Sequence, residues 1–233
     1  MGLESSLHAY VINLERRPDR LAQVRNGLER TGLNWTRVVA VDGQTLNSRR
    51  ETISALALTD DFTAACWMSH VLALKEFLNS SHTHALILED DIDLSQPIAL
   101  NEMGEWLEVM EEFRLDLLQV GYIDGRGILF RFKRWAALYR RKNLPMAKSG
   151  QRLKLNSCAV GAHGYLINRR AARAMAMINQ PVWLPTDAVM MYLADSQQTY
   201  GRVRTARLVP SRLHQIATST INPSDIQGRS ALR

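Results

Sequence analysis

Residues 85–95 read ALILEDDIDLS. Four apolar residues run straight into Glu89, Asp90 and Asp91, and Asp93 follows two places later. Carboxylates this close repel one another, and burying one without a partner is expensive. A divalent cation relieves both costs, and Mg²⁺ and Mn²⁺ prefer oxygen ligands of this kind. In an extended chain alternate residues share a side, so Glu89 and Asp91 point together. The competing reading is a solvated acidic turn, and the residues alone leave the two near even.

Other residues have types suited to chemistry. NLERRPDR places Asn13, Arg16, Arg17 and Arg20 where a strand gives way to a helix. A helix N-terminus binds phosphate through free N–H groups, and Arg binds it by paired hydrogen bonds. The alternative is a basic first turn balanced by Glu15 and Asp19. Asp42 ends a second apolar run in an Asp-Gly turn, where its carboxylate suits a ribose hydroxyl or simply the turn itself. Ser69-His70 falls within a helical stretch, where a single His is ordinarily a hydrogen-bonded structural residue. Asp187, in PTDAV, opens a helix after Pro185.

Positioning these groups requires alternating strands and helices. HAYVINL (8–14) reads as a strand. A helix follows, with Pro18 at its first position and Gly32 as its C-terminal cap. TRVVAV (36–41) is a second strand, so the chain begins as a parallel α/β unit. Residues 63–81 read as a helix, with Ala64, Met68, Val71, Leu72 and Leu78 near one face, and ALIL as a buried strand. A helix at 101–113, a strand at 115–122, a strand passing into a helix at 161–178, a short helix at 185–196 and a last strand at 206–215 complete the pattern. The expected architecture is a single α/β domain over 1–233, with a central mixed, mostly parallel sheet flanked by helices and a loosely held tail from about 216.

The chain of 233 residues is 46 % apolar and 22 % charged, and it contains no apolar run of membrane-spanning length. Its first residues have no basic group ahead of the short apolar run, which is wrong for a secretory leader. Cys66 and Cys158 are far apart in sequence and suit free thiols in a reducing compartment. The net charge of +6 is unevenly spread: residues 125–154 hold ten Lys or Arg and no acidic residue. There Ile128, Phe132, Trp135 and Tyr139 fall at helical spacing. The segment is expected to be a basic amphipathic insertion. It reads either as an interfacial helix in peripheral contact with an anionic membrane through 126–154, or as an acceptor-side loop. No nucleic-acid-binding motif accompanies it.

The motifs VINLERRPDRLAQV, VVAVDGQTL, CWMSHVLALKEF, ALILEDDIDLS, HGYLINRRAARAM, PTDAV and VPSRLHQIATSTI occur in an order that resembles glycosyltransferase family 25. These are the lipooligosaccharide β-galactosyltransferase-like enzymes of bacteria, related to collagen galactosyltransferases. The resemblance spans roughly residues 8–221, apart from 125–154. Ala65-Cys66 departs from the Gly-Cys that often precedes Ser-His in the family.

The resemblance implies a GT-A-like nucleotide-sugar-binding fold and an inverting transfer of a hexose. The donor implied is a UDP-sugar, UDP-galactose most commonly, and the acceptor a lipid-linked or surface glycan. It tips the acidic cluster toward metal, with Asp91 as the first ligand for Mn²⁺ or Mg²⁺, Glu89 assisting, and His214 completing the shell. Asp90 or Asp93 then caps the following segment, Asp90 standing beside the donor. Asn13, Arg17, Arg20, Asp42, Ser69 and His70 become donor-site contacts. Asp187 becomes the base that deprotonates the acceptor, with Asp124 in reserve. The implied location is cytoplasmic, peripheral on the inner face of the inner membrane. Two rivals remain. Asp91-x-Asp93 after an apolar strand resembles the nucleophile motif of haloacid-dehalogenase-like phosphohydrolases. A catalytically degenerate membrane- or partner-binding module is the other.

Overall fold

Alternation along the two apolar runs decides how the molecule is layered. β1 (Leu7–Asn13) sends Leu7, Ala9 and Val11 to one face and Tyr10 and Ile12 to the other. β3 (His84–Glu89) does the same, with Leu86 and Leu88 on the first face and Ala85 and Ile87 on the second. Both faces of the sheet are therefore covered, which is why these strands read as continuous apolar runs. The structure is a computed structural model and describes residues 6–49, 60–123, 143–146, 151–178, 182, 184–195 and 203–216.

The elements follow in order. After β1 come α1 (Pro18–Thr31), β2 (Trp35–Val39), a 3₁₀ helix (Gly43–Arg49), α2 (Asp61–Asn79) and β3. Then come α3 (Leu100–Glu112), β4 (Leu117–Gly121), β5 (Asn143–Pro145), β6 (Arg152–Leu155) and β7 (Gly164–Asn168). The last are α4 (Arg169–Met177), α5 (Thr186–Asp195) and β8 (Thr205–Val209). The cluster on one face includes Val24 and Leu28 of α1 and Met103 and Trp106 of α3. The other includes Trp67, Leu74 and Phe77 of α2, Met175 of α4 and Met190 of α5. The mixed sheet between helical layers matches the expected fold class.

The boundaries of α1 agree with its sequence signals. Pro18 occupies its first turn, and Gly32 caps it at φ 72°, a left-handed conformation that favours glycine. Asp60 caps α2 by accepting a hydrogen bond from the Thr63 amide. Of the residues expected near one face of α2, Ala64 and Val71 are buried and Leu72 is exposed.

The sheet order is β2-β1-β3-β7-β4-β8-β6-β5. β1 is parallel to β2 and to β3, and β4 is parallel to β8. β7 runs antiparallel between β3 and β4, and β6 is antiparallel to both β5 and β8. Parallel pairings are thus three of the seven described, fewer than the mostly parallel sheet expected. The reason is that β7 and β6 each run against both of their neighbours, which accounts for all four antiparallel pairings.

The basic segment also differs from expectation where it is described. Asn143–Pro145 and Arg152–Leu155 are strands of the main sheet, not part of an insertion. Leu153 and Met146 are buried in the core, and this apolar anchorage outweighs the surrounding charge. Residues 124–142 and 147–150 lie outside the described residues, and with them the apolar stripe and Asp124. So does the tail from 217.

Candidate active site

Because β1, β2 and β3 are parallel neighbours, their carboxyl ends open on one side, where ligands bind in open α/β sheets. A cleft of about 90 Å³, open to solvent, lies there. Its walls include Arg16, Arg20, Asp42, Cys66, Ser69, His70, Glu89, Asp90 and Asp91. Two of the expected stretches, NLERRPDR and EDD, therefore meet across one cavity although about 70 residues separate them.

The α1 side of the cleft is tightly paired. Asp90 accepts hydrogen bonds from Asn13 Nδ2 at 2.7 Å and from Arg20 Nη1 at 3.2 Å. Asn13 also donates to the Arg17 carbonyl and accepts from Arg37 Nε, so all its side-chain groups are engaged and it is fully buried. Asn13 is a strut and not the donor contact expected. Arg20, also buried, is held against Asp90. Asp90 is the anchor of this strut and not a cap. Burial raises its pKa, Asn13 and Arg20 work against that, and the carboxyl stays above its ordinary value. Arg17 turns to Asp19 through two hydrogen bonds and is absent from the cleft wall. Arg16, one residue earlier, takes that place and pairs with Asp42 at 2.7 Å. Burial pushes Asp42 up, but Arg16 and the Gln44 amide outweigh it and hold the carboxyl below its usual value.

The α2 side is built differently. Ser69 donates to the Ala65 carbonyl and accepts from the Val41 amide, tying α2 to the loop after β2. Those bonds make it a brace within the cleft wall. His70, fully buried, lies between Tyr165 and Glu89: Nδ1 is 3.0 Å from the Tyr165 hydroxyl and Nε2 is 3.1 Å from Glu89 Oε1. It lines the cleft while bonded to both. Burial raises the Glu89 pKa, but the His70 hydrogen bond, with His163 and Arg20 nearby, brings it below the ordinary carboxylate value.

Asp91 is the exception. Gln215 donates to its Oδ2 at 2.6 Å, while its buried Oδ1 has no hydrogen-bond partner among the described residues. Burial, with Glu89 next and Asp90 after, raises its pKa to about 7. Neighbouring carboxylates whose environments push their pKa values apart are characteristic of working sites. An orphaned carboxylate oxygen beside a second carboxylate fits a hard cation, so the residues present suit Mn²⁺ or Mg²⁺.

The C-terminal segment closes this side. Ile92 pairs with Gln215 in an antiparallel bridge, and the Ile216 amide donates to the Asp91 carbonyl. His214 contributes its backbone carbonyl to the Asp93 amide, while its ring is on an exposed residue and joins no metal-sized group among the described residues. Gln215, its neighbour, is the residue that reaches Asp91. Asp93 is exposed and accepts from the Ser95 amide, turning the chain instead of facing Asp91 across the cleft. Asp187 accepts from the Gly161 amide at 2.9 Å and from the Ala188 amide at 2.8 Å. It does not line the cleft, but its charge is felt at Cys66, as are those of Glu89 and Asp91.

With this geometry in hand, the sequence model of Glycosyltransferase family 25 (LPS biosynthesis protein) matches residues 6–190. The chain belongs to glycosyltransferase family 25. Two insect proteins, each named Glycosyltransferase 25 family member, are similar to it. The one from Drosophila pseudoobscura pseudoobscura is 27 % identical over 126 residues, covering 49 % of this chain and 20 % of the relative. The one from Aedes aegypti is 28 % identical over 97 residues, covering 36 % and 16 %. The match thus spans about a fifth or less of these relatives' length. Family 25 membership, with Asp93 turned outward, displaces the phosphohydrolase reading. The family match takes in the cleft walls from β1 to α2, the acidic cluster and Asp187, and stops before Gln215. Arg16 stands in the basic constellation of the sequence but outside the donor-site set that the resemblance implies, and His163 and Gln215 belong to neither. Arg16 was visible beside Arg17, and His163 stood within HGYLIN. Gln215 had no local signal.

Proposed function

We propose that this family 25 chain transfers a hexose from a UDP-sugar to a glycan acceptor with inversion. UDP-galactose is the first donor to test, and lipooligosaccharide or another surface glycan the acceptor class. The observation that carries the reading is Asp91 Oδ1, without a hydrogen-bond partner among the described residues, in a cleft at the carboxyl ends of parallel strands. Asp91, with Glu89, would hold Mn²⁺ or Mg²⁺, which when bound offsets charge gathering on the departing diphosphate.

The chain's own residues do the rest. His70, backed by Tyr165, orients Glu89 and favours its ionised form. Arg16 and Asp42 stand at the opposite wall, where a guanidinium suits phosphate and a carboxylate suits a ribose hydroxyl. Asn13, Arg20 and Asp90 keep that wall rigid, which preserves the alignment a displacement needs. Asp187 receives the acceptor hydroxyl's proton as the new bond to the anomeric carbon forms and the bond to the diphosphate oxygen breaks. Two backbone amides fix the orientation of its carboxylate. The eight basic residues of 126–148, ahead of β6, support a peripheral, cytoplasmic-side attachment to anionic membrane. No helix among the described residues is long and apolar enough to cross a membrane.

The test is UDP release from a panel of UDP-sugars, with and without Mn²⁺, in the presence of a lipooligosaccharide acceptor. Metal-dependent release that Asp187→Asn lowers at least about a hundredfold is expected. Absence of release from every donor, with bound UDP insensitive to Mn²⁺, contradicts the reading.

A further inference from the structure

Cys66 and His70 are four residues apart on α2 and so project from one face of it. Both reach the end of β3 and the same oxygen: Glu89 Oε1 is 3.1 Å from His70 Nε2 and 3.9 Å from Cys66 Sγ. One ligand atom from each of the three residues lies within 4.8 Å of the others. Zinc bond lengths and a tetrahedral angle give edges of about 3.3 Å for nitrogen to oxygen and about 3.5 Å for sulfur to oxygen. The two edges present are within a few tenths of an ångström of those values.

We propose that Cys66, His70 and Glu89 form a zinc site in the wall of the cleft. Its sulfur, nitrogen and oxygen donors suit a borderline-soft ion, whereas the all-oxygen pair of Asp91 and Glu89 suits a hard one. All three residues line the cleft, so an ion has an entry path and keeps an open fourth position. The supporting shell is present as well. The Tyr165 hydroxyl, fully buried, lies 3.0 Å from His70 Nδ1 and accepts its proton in a hydrogen bond when Nε2 turns its lone pair to the metal. Thr186 Oγ1 lies 3.8 Å from Cys66 Sγ and orients the sulfur from its other side. The ligands stand on a helix and a buried strand, the elements best able to hold a fixed geometry. Binding breaks the Cys66 S–H bond and forms a sulfur–zinc bond. That proton goes to solvent, and no oxidation is involved. Glu89 serves both sites, so a zinc ion here withdraws one carboxylate from the hard cation.

Cobalt(II) titrated into the full-length chain is the direct probe, because cobalt bound to a thiolate absorbs intensely in the near ultraviolet. We expect this band to saturate at one cobalt per chain and to be bleached by equimolar zinc. Cys66→Ser abolishes the band and Cys158→Ser leaves it intact. His70→Gln and Glu89→Gln each weaken cobalt binding about tenfold or more. A band that survives Cys66→Ser overturns the proposal. So does no band in wild-type protein whose circular dichroism is that of a folded chain. No sugar nucleotide enters the assay, so its result stands whatever the donor proves to be.

Discussion

Asp116 and Asp91 are nearly equally buried, at 4 % and 5 % exposure, yet the two ends of the sheet use them differently. Asp116, at the entrance to β4, accepts from Asn168 Nδ2, from the Arg204 amide and from Arg170. Its backbone joins in as well, since its amide donates to the Arg204 carbonyl and its carbonyl accepts from the Asn168 amide. This carboxylate is a joint that fastens β4, β7 and the approach to β8. Asp91, at the exit of β3, has among the described residues one side-chain hydrogen bond, from Gln215, and an oxygen with none. A buried carboxylate whose partners are complete contributes to the fold. One that lacks them is costly to the fold and useful to a ligand.

The sharpest way to break this comparison is to remove each group in turn. Asp116→Ala leaves the half-buried Asn168 amide and the Arg204 N–H without their acceptor and should lower unfolding stability in urea by about 2 kcal/mol, after discounting the half-exposed Arg170. Asp91→Asn relieves repulsion with Glu89 and should cost under about 1 kcal/mol. Equal losses would erase the distinction. Likewise, Asn13→Ala strips Asp90 of its shortest hydrogen bond and should cost about 2 kcal/mol by the same measurement. Intact stability in that variant would mean the strut is not one.

The pH response sharpens the Asp91 side of the comparison. The pKa of Asp91 is raised from 3.8 to about 7, so the metal-free fold binds an extra proton there. Its contribution to stability is fully present below the unfolded value and is lost as pH rises through the folded one. Manganese runs the other way, since the proton must leave first. Its affinity should rise about tenfold per pH unit up to about 7 and level off above. A flat profile measured by calorimetry would place the cation elsewhere. The smallest effect is that of Gln215→Ala. Losing that hydrogen bond raises the Asp91 pKa further, so manganese should bind about threefold more weakly near neutral pH and recover at higher pH.

Much of this was legible locally. Pro18 and Gly32 bound α1 by backbone conformation alone, and the apolar runs of β1 and β3 announced strands buried on both faces. The crowding of Glu89, Asp90 and Asp91 marked the site without showing how it is divided. That division depends on residues far off in the chain: Asn13 and Arg20 neutralise Asp90, His70 takes Glu89, and Gln215 reaches Asp91 from 124 positions away. Hydrogen bonds of that span leave no trace in local pattern. The antiparallel placement of β7 was hidden for the same reason. The alternation of charged and apolar residues in RLKL, the signal of β6, is masked by the basic run around it, which has the spacing of a helix.

The central claim is that Asp91 holds the cation through the oxygen the fold leaves unpartnered. Electron paramagnetic resonance of free Mn²⁺, titrated with wild-type protein and with Asp91→Asn in the presence of UDP, tests it most directly. One tight manganese per wild-type chain, weakened by a factor of ten or more (about 1.4 kcal/mol) in a folded Asp91→Asn variant, is the predicted result. Equal manganese binding by the two proteins would contradict it.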